Sequence, residues 1–132
     1  MPFHNAVSPA ELAEAGGDID YRLARQSVLR AFREGRVGTD EICDAHPELM
    51  RVARSSGEPT QRRCEVCADA DLVQVRYVFG PRLSKGGRCV TTAAELERIA
   101  ARKGTFTCYT VEVCPGCGWN HLARSHVLES RA

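Results

Sequence analysis

The sequence predicts an α+β protein: an N-terminal helical segment followed by an antiparallel β sheet carrying one inserted helix. Three observations lead there. Apolar residues recur near the helical period through residues 18–60, they alternate at period two from Val73 onward, and two C-x-x-C pairs bracket the alternating part.

The elements follow in order. Ser8-Pro9-Ala10-Glu11 reads as a helix start that Gly16-Gly17 stops after two turns, so residues 1–17 read as a flexible N-terminal arm. Asp18 or Asp20 can cap a helix to about Phe32 or Glu34, with Tyr21, Ala24, Val28 and Phe32 forming its stripe and Leu23 and Leu29 widening it; Gly35 ends it. Thr39 can cap a short helix through Ile42 and Cys43. Pro47 opens another, apolar at Leu49, Met50, Val52 and Ala53, before Gly57 and Pro59. A helical segment therefore spans 18–60.

From 61 to 132 the reading is a second unit. Val73, Val75, Tyr77 and Phe79 alternate as a half-buried strand ended by Gly80-Pro81. A polar loop over 82–88 leads to Thr92-Ala93-Ala94-Glu95, a capping box, and a helix to about residue 103 with Leu96, Ile99 and Ala100 on one face. Tyr109, Val111 and Val113 alternate in a second strand, and residues 119–128 suit a third.

Composition narrows the function classes. With 132 residues, 43% hydrophobic and only 6% aromatic, the core is small, and a metal would staple it usefully. Residues 1–60 carry seven Arg against ten acids, a charge of −3, and residues 61–132 carry eleven Lys and Arg against seven acids, +4. No cationic stretch followed by an apolar run opens the chain, and no apolar run is long enough to span a membrane. An odd number of cysteines, seven, then points to a reducing cytoplasm rather than a disulfide scaffold.

Cys64, Cys67, Cys114 and Cys117 are the candidate metal ligands. Two residues between cysteines let a tight turn aim both sulfurs at one ion, and two such knuckles before and between strands are the arrangement of a zinc ribbon. One structural Zn²⁺ per chain is expected. The inserted helix accounts for the long separation of Cys67 from Cys114; a redox dithiol is disfavoured because neither pair opens a helix in a βαβ setting. His121 could replace one cysteine, but four thiolates already complete a tetrahedron, and it reads as a strand residue. His4, His46 and His126 read as surface or capping residues. Cys43, Cys89 and Cys108 read as small, partly buried apolar residues, with a redox-responsive thiol near the metal as the sharper alternative.

Three stretches, 111–122 (Val-Glu-Val-Cys-Pro-Gly-Cys-Gly-Trp-Asn-His-Leu), 42–47 (Ile-Cys-Asp-Ala-His-Pro) and 77–80 (Tyr-Val-Phe-Gly), together resemble an actinobacterial family of short, uncharacterised proteins. That family pairs a helical N-terminal segment with a zinc-ribbon-like region bearing two C-x-x-C motifs. The resemblance implies a bacterial cytoplasmic setting and carries no activity or substrate.

No phosphate loop, nucleophile elbow or paired carboxylates stand out, and a four-cysteine zinc site has no open position for water. The expected role is a non-catalytic zinc-binding adaptor or regulatory protein on a larger cytoplasmic assembly, the transcription or translation machinery being the natural kind, with a protein or structured RNA as partner. Arg62, Arg63, Arg82, Lys85 and Arg88, near the ribbon's turns with Arg102 and Lys103, form the candidate binding patch. One alternative is a redox switch in which oxidation of Cys64 or Cys117 ejects zinc and Cys89 or Cys108 resolves it. Another is a helix-turn-helix DNA-binding regulator over 39–56, disfavoured by the acidic charge of that half.

Overall fold

The alternating residues from Val73 onward build the long strands against which everything else packs. The computed structural model describes residues 18–129; the short helix read from Ser8 lies outside them. In chain order the elements are β1 (Ile19–Asp20), α1 (Arg22–Arg33), α2 (Thr39–Ile42), α3 (Pro47–Ser56), β2 (Glu58–Arg63), β3 (Asp71–Phe79), β4 (Arg88–Val90), α4 (Ala93–Ala100), β5 (Thr105–Val113) and β6 (Asn120–Glu129). The fold is α+β.

All strand pairs are antiparallel, in the order β1-β6-β5-β3-β2, with β4 also on β3. The outer edge of β3 is shared: β2 pairs near its start, with Glu58 opposite Gln74, and β4 near its end, with Tyr77 opposite Cys89. On one face, Val75, Tyr109, Val111, Val113 and Leu122 take Leu49 and Ala53 of α3. On the other, Val78, Phe106 and Cys108 lie under Leu96 and Ile99 of α4. A third cluster, at the cysteine end, joins Leu29 of α1 and Ile42 of α2 to Leu72, Trp119, Cys64 and Cys114. Coverage of both faces is why every residue of β5 after Thr105 is buried. Each large apolar side chain so enclosed contributes about 1.5–3 kcal/mol.

Several elements differ from the expectation for identifiable reasons. The inward stripe of α1 runs through Arg25, Val28, Leu29 and Phe32, with Leu29 fully enclosed, whereas Leu23 points away from it and is 85% exposed. Asp20 does serve the helix start, its Oδ1 accepting the Arg22 N–H at 2.9 Å. At α2 the N-cap is Gly38 rather than Thr39, and the Glu41 carboxylate accepts the Gly38 N–H at 3.2 Å. Thr92 caps α4 as expected, accepting the Glu95 N–H at 3.1 Å, and the helix ends at Ala100 rather than near 103.

Strand β2 has no sequence signature. It contains Pro59, does not alternate, and bulges between Pro59 and Arg63, where Gln61 adopts φ 64°. It forms because the edge of β3 is open beside it. The division at residue 60 therefore falls inside a strand, and α1, α2 and α3 share their apolar clusters with the sheet. Among the described residues no helix is long and apolar enough to cross a membrane.

Candidate metal centre

The pairing of Val73 with Val113 sets the start of β3 beside the end of β5, and this register alone brings the two C-x-x-C turns together. Cys64 and Cys67 lie in the turn from β2 to β3; Cys114 and Cys117 lie in the turn from β5 to β6. The two turns share one pattern of hydrogen bonds, with the closing bond spanning one residue more in the first. The Ala68 N–H donates to Cys64 O and the Gly118 N–H to Cys114 O, both at 3.0 Å, while the Cys64 N–H reaches Ala70 O and the Cys114 N–H reaches Trp119 O, both at 2.8 Å. The residue after each second cysteine is left-handed, Ala68 at φ 59° and Gly118 at φ 90°.

Backbone N–H groups also face the sulfurs. Val66 N donates to Cys64 Sγ, Asp69 N to Cys67 Sγ, Cys117 N to Cys114 Sγ and Trp119 N to Cys117 Sγ, each at 3.4 Å. Such donors favour thiolate over thiol, which is the form that binds metal. The four sulfurs lie within 4.8 Å of one another, with Cys64 to Cys117 at 3.8 Å and Cys67 to Cys114 at 3.7 Å. A tetrahedral thiolate site with metal–sulfur bonds of about 2.3 Å has edges of about 3.8 Å. The cluster can thus hold one metal ion.

Without a cation the four thiols are unequal. Burial pushes Cys64 up to about 11 and also raises Cys117. At the more exposed Cys67, burial is outweighed by the N–H groups of Asp69 and Ala70 and by the neighbouring thiols, so its value falls to about 7. Binding a metal would then release protons, those of Cys64 and Cys117 among them.

A fifth sulfur stands beside the cluster. Cys43, the residue after α2, has its Sγ 3.6 Å from that of Cys117, and burial raises its own thiol. The segment carrying it is strapped to the second turn: Ala45 N donates to Gly118 O at 3.2 Å, Asn120 Nδ2 to Asp44 Oδ1 at 3.2 Å and Arg54 Nε to Pro115 O at 3.1 Å. Of the three spare cysteines, Cys43 is the one that stands beside the cluster. Cys89 and Cys108 sit in the other two apolar clusters.

Residues 14–132 match a family of unknown function (DUF5318). The chain belongs to this family. Uncharacterized proteins of Mycobacterium tuberculosis and Mycobacterium bovis are each 42% identical to it over 110 residues, covering 83% of this chain and 80% of the relative. These relatives are actinobacterial, in keeping with the resemblance drawn from residues 111–122. No solved structure matches.

The remaining candidates of this DUF5318 protein fall elsewhere. His121 is a strand residue away from the sulfurs, its Nε2 3.1 Å from Glu112 Oε1. His46 caps α3, its Nδ1 accepting the Glu48 N–H at 3.1 Å. His126 is half-buried rather than on the surface, because it lies opposite Cys108 on the face that α4 covers. The five basic residues do not gather into one patch. Arg62 and Arg63 sit beside the start of β3, with Arg63 opposite Asp71, whereas Arg88 lies opposite Val78 near its other end and Arg82 and Lys85 just beyond it, roughly 23 Å away along the strand. Four of the five also have partners: Arg62 binds Glu112, Arg63 lies 3.3 Å from Asp71, Arg82 binds Lys103 O, and Arg88 Nε donates to Glu95 at 2.8 Å.

Sequence reasoning missed Arg25 and Glu112, and weighed His121 as a spare metal ligand or a strand residue but not as a partner of Glu112. Arg25, Arg62, Gln74 and His121 all converge on the Glu112 carboxylate. The one signal was a glutamate set between two strand valines.

Proposed function

We propose that this chain is a non-catalytic, zinc-binding adaptor or regulatory protein of the cytoplasm, in which one structural Zn²⁺ holds the two cysteine turns, and with them α1 and α2, in a surface that docks on a larger assembly. The observation that carries this is the pair of matched turns: four soft donors at tetrahedral spacing, each sulfur met by a backbone N–H, with no fourth position left for water or substrate. A protein partner, or structured RNA, suits the mixed surface charge better than DNA. The helix-turn-helix alternative loses support because α3 turns Leu49 and Ala53 onto the sheet, Arg51 pairs with Glu48, and Arg54 bonds Pro115 O.

Two measurements test the proposal. Metal analysis of the purified chain should find one zinc per chain, absent from Cys64→Ser and Cys114→Ser; full zinc in both variants, or none in wild type, overturns it. Docking is tested with the zinc-loaded chain as bait in native cytoplasm: one stoichiometric complex should form, lost on zinc removal. A chain that stays monomeric and instead turns over a substrate refutes the adaptor role.

A redox reading is favoured by one distance, Cys43 to Cys117 at 3.6 Å. In it, hydrogen peroxide oxidises the zinc-bound Cys117 thiolate to the sulfenic acid, with one proton from solvent and one water released; the Cys43 thiol then attacks that sulfur, its proton and the departing hydroxyl leave as a second water, and the three-ligand site beside the Cys43–Cys117 disulfide releases zinc. The resolving thiol is then Cys43 instead of Cys89 or Cys108. Zinc release by mild peroxide from wild type but not from Cys43→Ser supports this; equal release from both excludes it.

A further inference from the structure

On the face of the sheet shared with α4, but at the opposite end, where α1 crosses, β5 carries Glu112 at a position whose sequence neighbours are valines. Its side chain is only 3% exposed. Beside it lies His121 of β6, equally enclosed, and over both comes Arg25 from α1, its NH1 3.6 Å from Glu112 Oε1. Arg62 of β2 and Gln74 of β3 hold the other carboxylate oxygen, Gln74 at 3.2 Å.

Glu112, His121, Arg25 and Arg62 line a cavity of about 240 Å³, whose rim is completed by Arg22 and Arg124. Four arginines therefore face it against Glu112 and Asp20 of the lining and Asp18 beside Arg124, a surplus of one positive charge. The Glu112 charge is met by Arg62, Gln74 and Arg25, so the surplus is not needed to compensate it. The rim arginines have only exposed, weakly held partners, Arg22 at 3.1 Å from Asp20 and Arg124 at 3.1 Å from Asp18, which are free to let go.

Deeper in, Arg25 Nε, both His121 nitrogens and Glu112 Oε1 are buried without a hydrogen-bond partner of good geometry, although His121 Nε2 stands 3.1 Å and Arg25 NH1 3.6 Å from that carboxylate oxygen. Leaving such groups unmet is costly, and the donors among them, Arg25 Nε and the one N–H of the imidazole, mark at the cavity wall a place for something that accepts hydrogen bonds. The imidazole is held neutral there, so it offers one N–H without adding charge. A metal cation is excluded by the arginines.

We propose that this cavity binds a small molecule through an oxyanion group, phosphate or carboxylate, gripped by Arg25 and His121 from within and by Arg22, Arg62 and Arg124 at the rim. Guanidinium forks match both kinds of oxyanion. The volume admits more than a bare inorganic ion but less than most drug-sized ligands occupy, which points to a small metabolite. Because Arg25 and Leu29 lie one turn apart on α1, and Leu29 packs in the cysteine cluster, a bound oxyanion would tie this helix to the sheet beside the metal centre. The site does not require the adaptor reading.

Isothermal titration of the full chain as purified tests this, with sodium phosphate in one arm and sodium malonate in the other, ionic strength held constant with sodium chloride. Saturation at one equivalent with Kd of about 1 mM or tighter is expected, in the phosphate arm for a phosphate ligand and in the malonate arm for a carboxylate. Saturation in neither arm overturns the proposal. The double variant Arg22→Ala/Arg124→Ala changes only exposed side chains and should keep its thermal midpoint while weakening binding roughly tenfold or more. Arg25→Lys, which keeps the charge but loses the fork, should weaken it similarly, and Arg36→Ala, outside the cavity, should not. Equal affinity in wild type and the double variant would mean that the anion sits elsewhere, and the site is refuted.

Discussion

Leu23 and Leu29 sit six residues apart on one helix and meet opposite fates. Leu29 is enclosed among Ile42, Leu72 and Trp119, so Leu29→Ala should cost about 2–5 kcal/mol in chemical denaturation. Leu23→Ala should stay within about 0.5 kcal/mol, since its side chain stands in solvent. His121 offers a second test. Burial, with Arg25 close by, holds its imidazole down to about 4, against an unfolded value near 6.5. The unfolded chain then binds the proton more readily, so this residue's stabilising contribution is complete above about pH 6.5. It is lost as the pH falls towards 4, at up to about 1.4 kcal/mol per unit. Ring signals of His121 in NMR spectra should not move between pH 8 and 5; a midpoint near 6.5 would show that the ring is not enclosed.

Among the elements, the two cysteine turns are the sharpest comparison, because they share a backbone course but not a residue at the left-handed position. Gly118 has φ 90°, and a Cβ there would approach Cys43 O to 3.1 Å. Gly118→Ala should therefore destabilise by about 1–3 kcal/mol and raise the rate at which a chelator strips the metal. Ala68, at φ 59°, already bears that strain, and Ala68→Gly should be neutral or stabilising by up to about 1 kcal/mol. Equal effects at the two sites would mean that the turns are not equivalent. The turns and the strands that flank β5 were legible because the residues themselves carry the geometry: Cys-x-x-Cys followed by Ala or Gly, valines at alternate positions, Thr92 ahead of Glu95. Strand β2 was not, since an edge strand can be made of any residues that tolerate an open neighbour, and Glu58–Arg63 shows neither period.

For the whole molecule, the cysteine cluster is also a core. Trp119, the single tryptophan of the chain, is enclosed beside Cys64 and Cys114, with Val28, Leu29 and Phe32 of α1 and Ile42 of α2 packed around it. Stripping the metal should then red-shift Trp119 fluorescence and melt α1 and α2 together with the cysteine turns. The apolar residues of these two helices face the metal end, so independent survival is not expected. A far-ultraviolet spectrum unchanged after chelation would show that apolar packing alone holds this end.

By itself the sequence determined the α+β class, the family and the four cysteines that come together, because periodicity and metal-turn spacing act over a few residues and need no knowledge of distant partners. It could not determine what stands next to those features. The nearness of Cys43 to Cys117, the dispersal of five basic residues to two ends of β3, and the gathering of Arg25, Arg62, Glu112 and His121 from four elements depend on strand register and on where α1 crosses the sheet. Those are long-range choices, decided by how three apolar clusters close over both faces of one sheet.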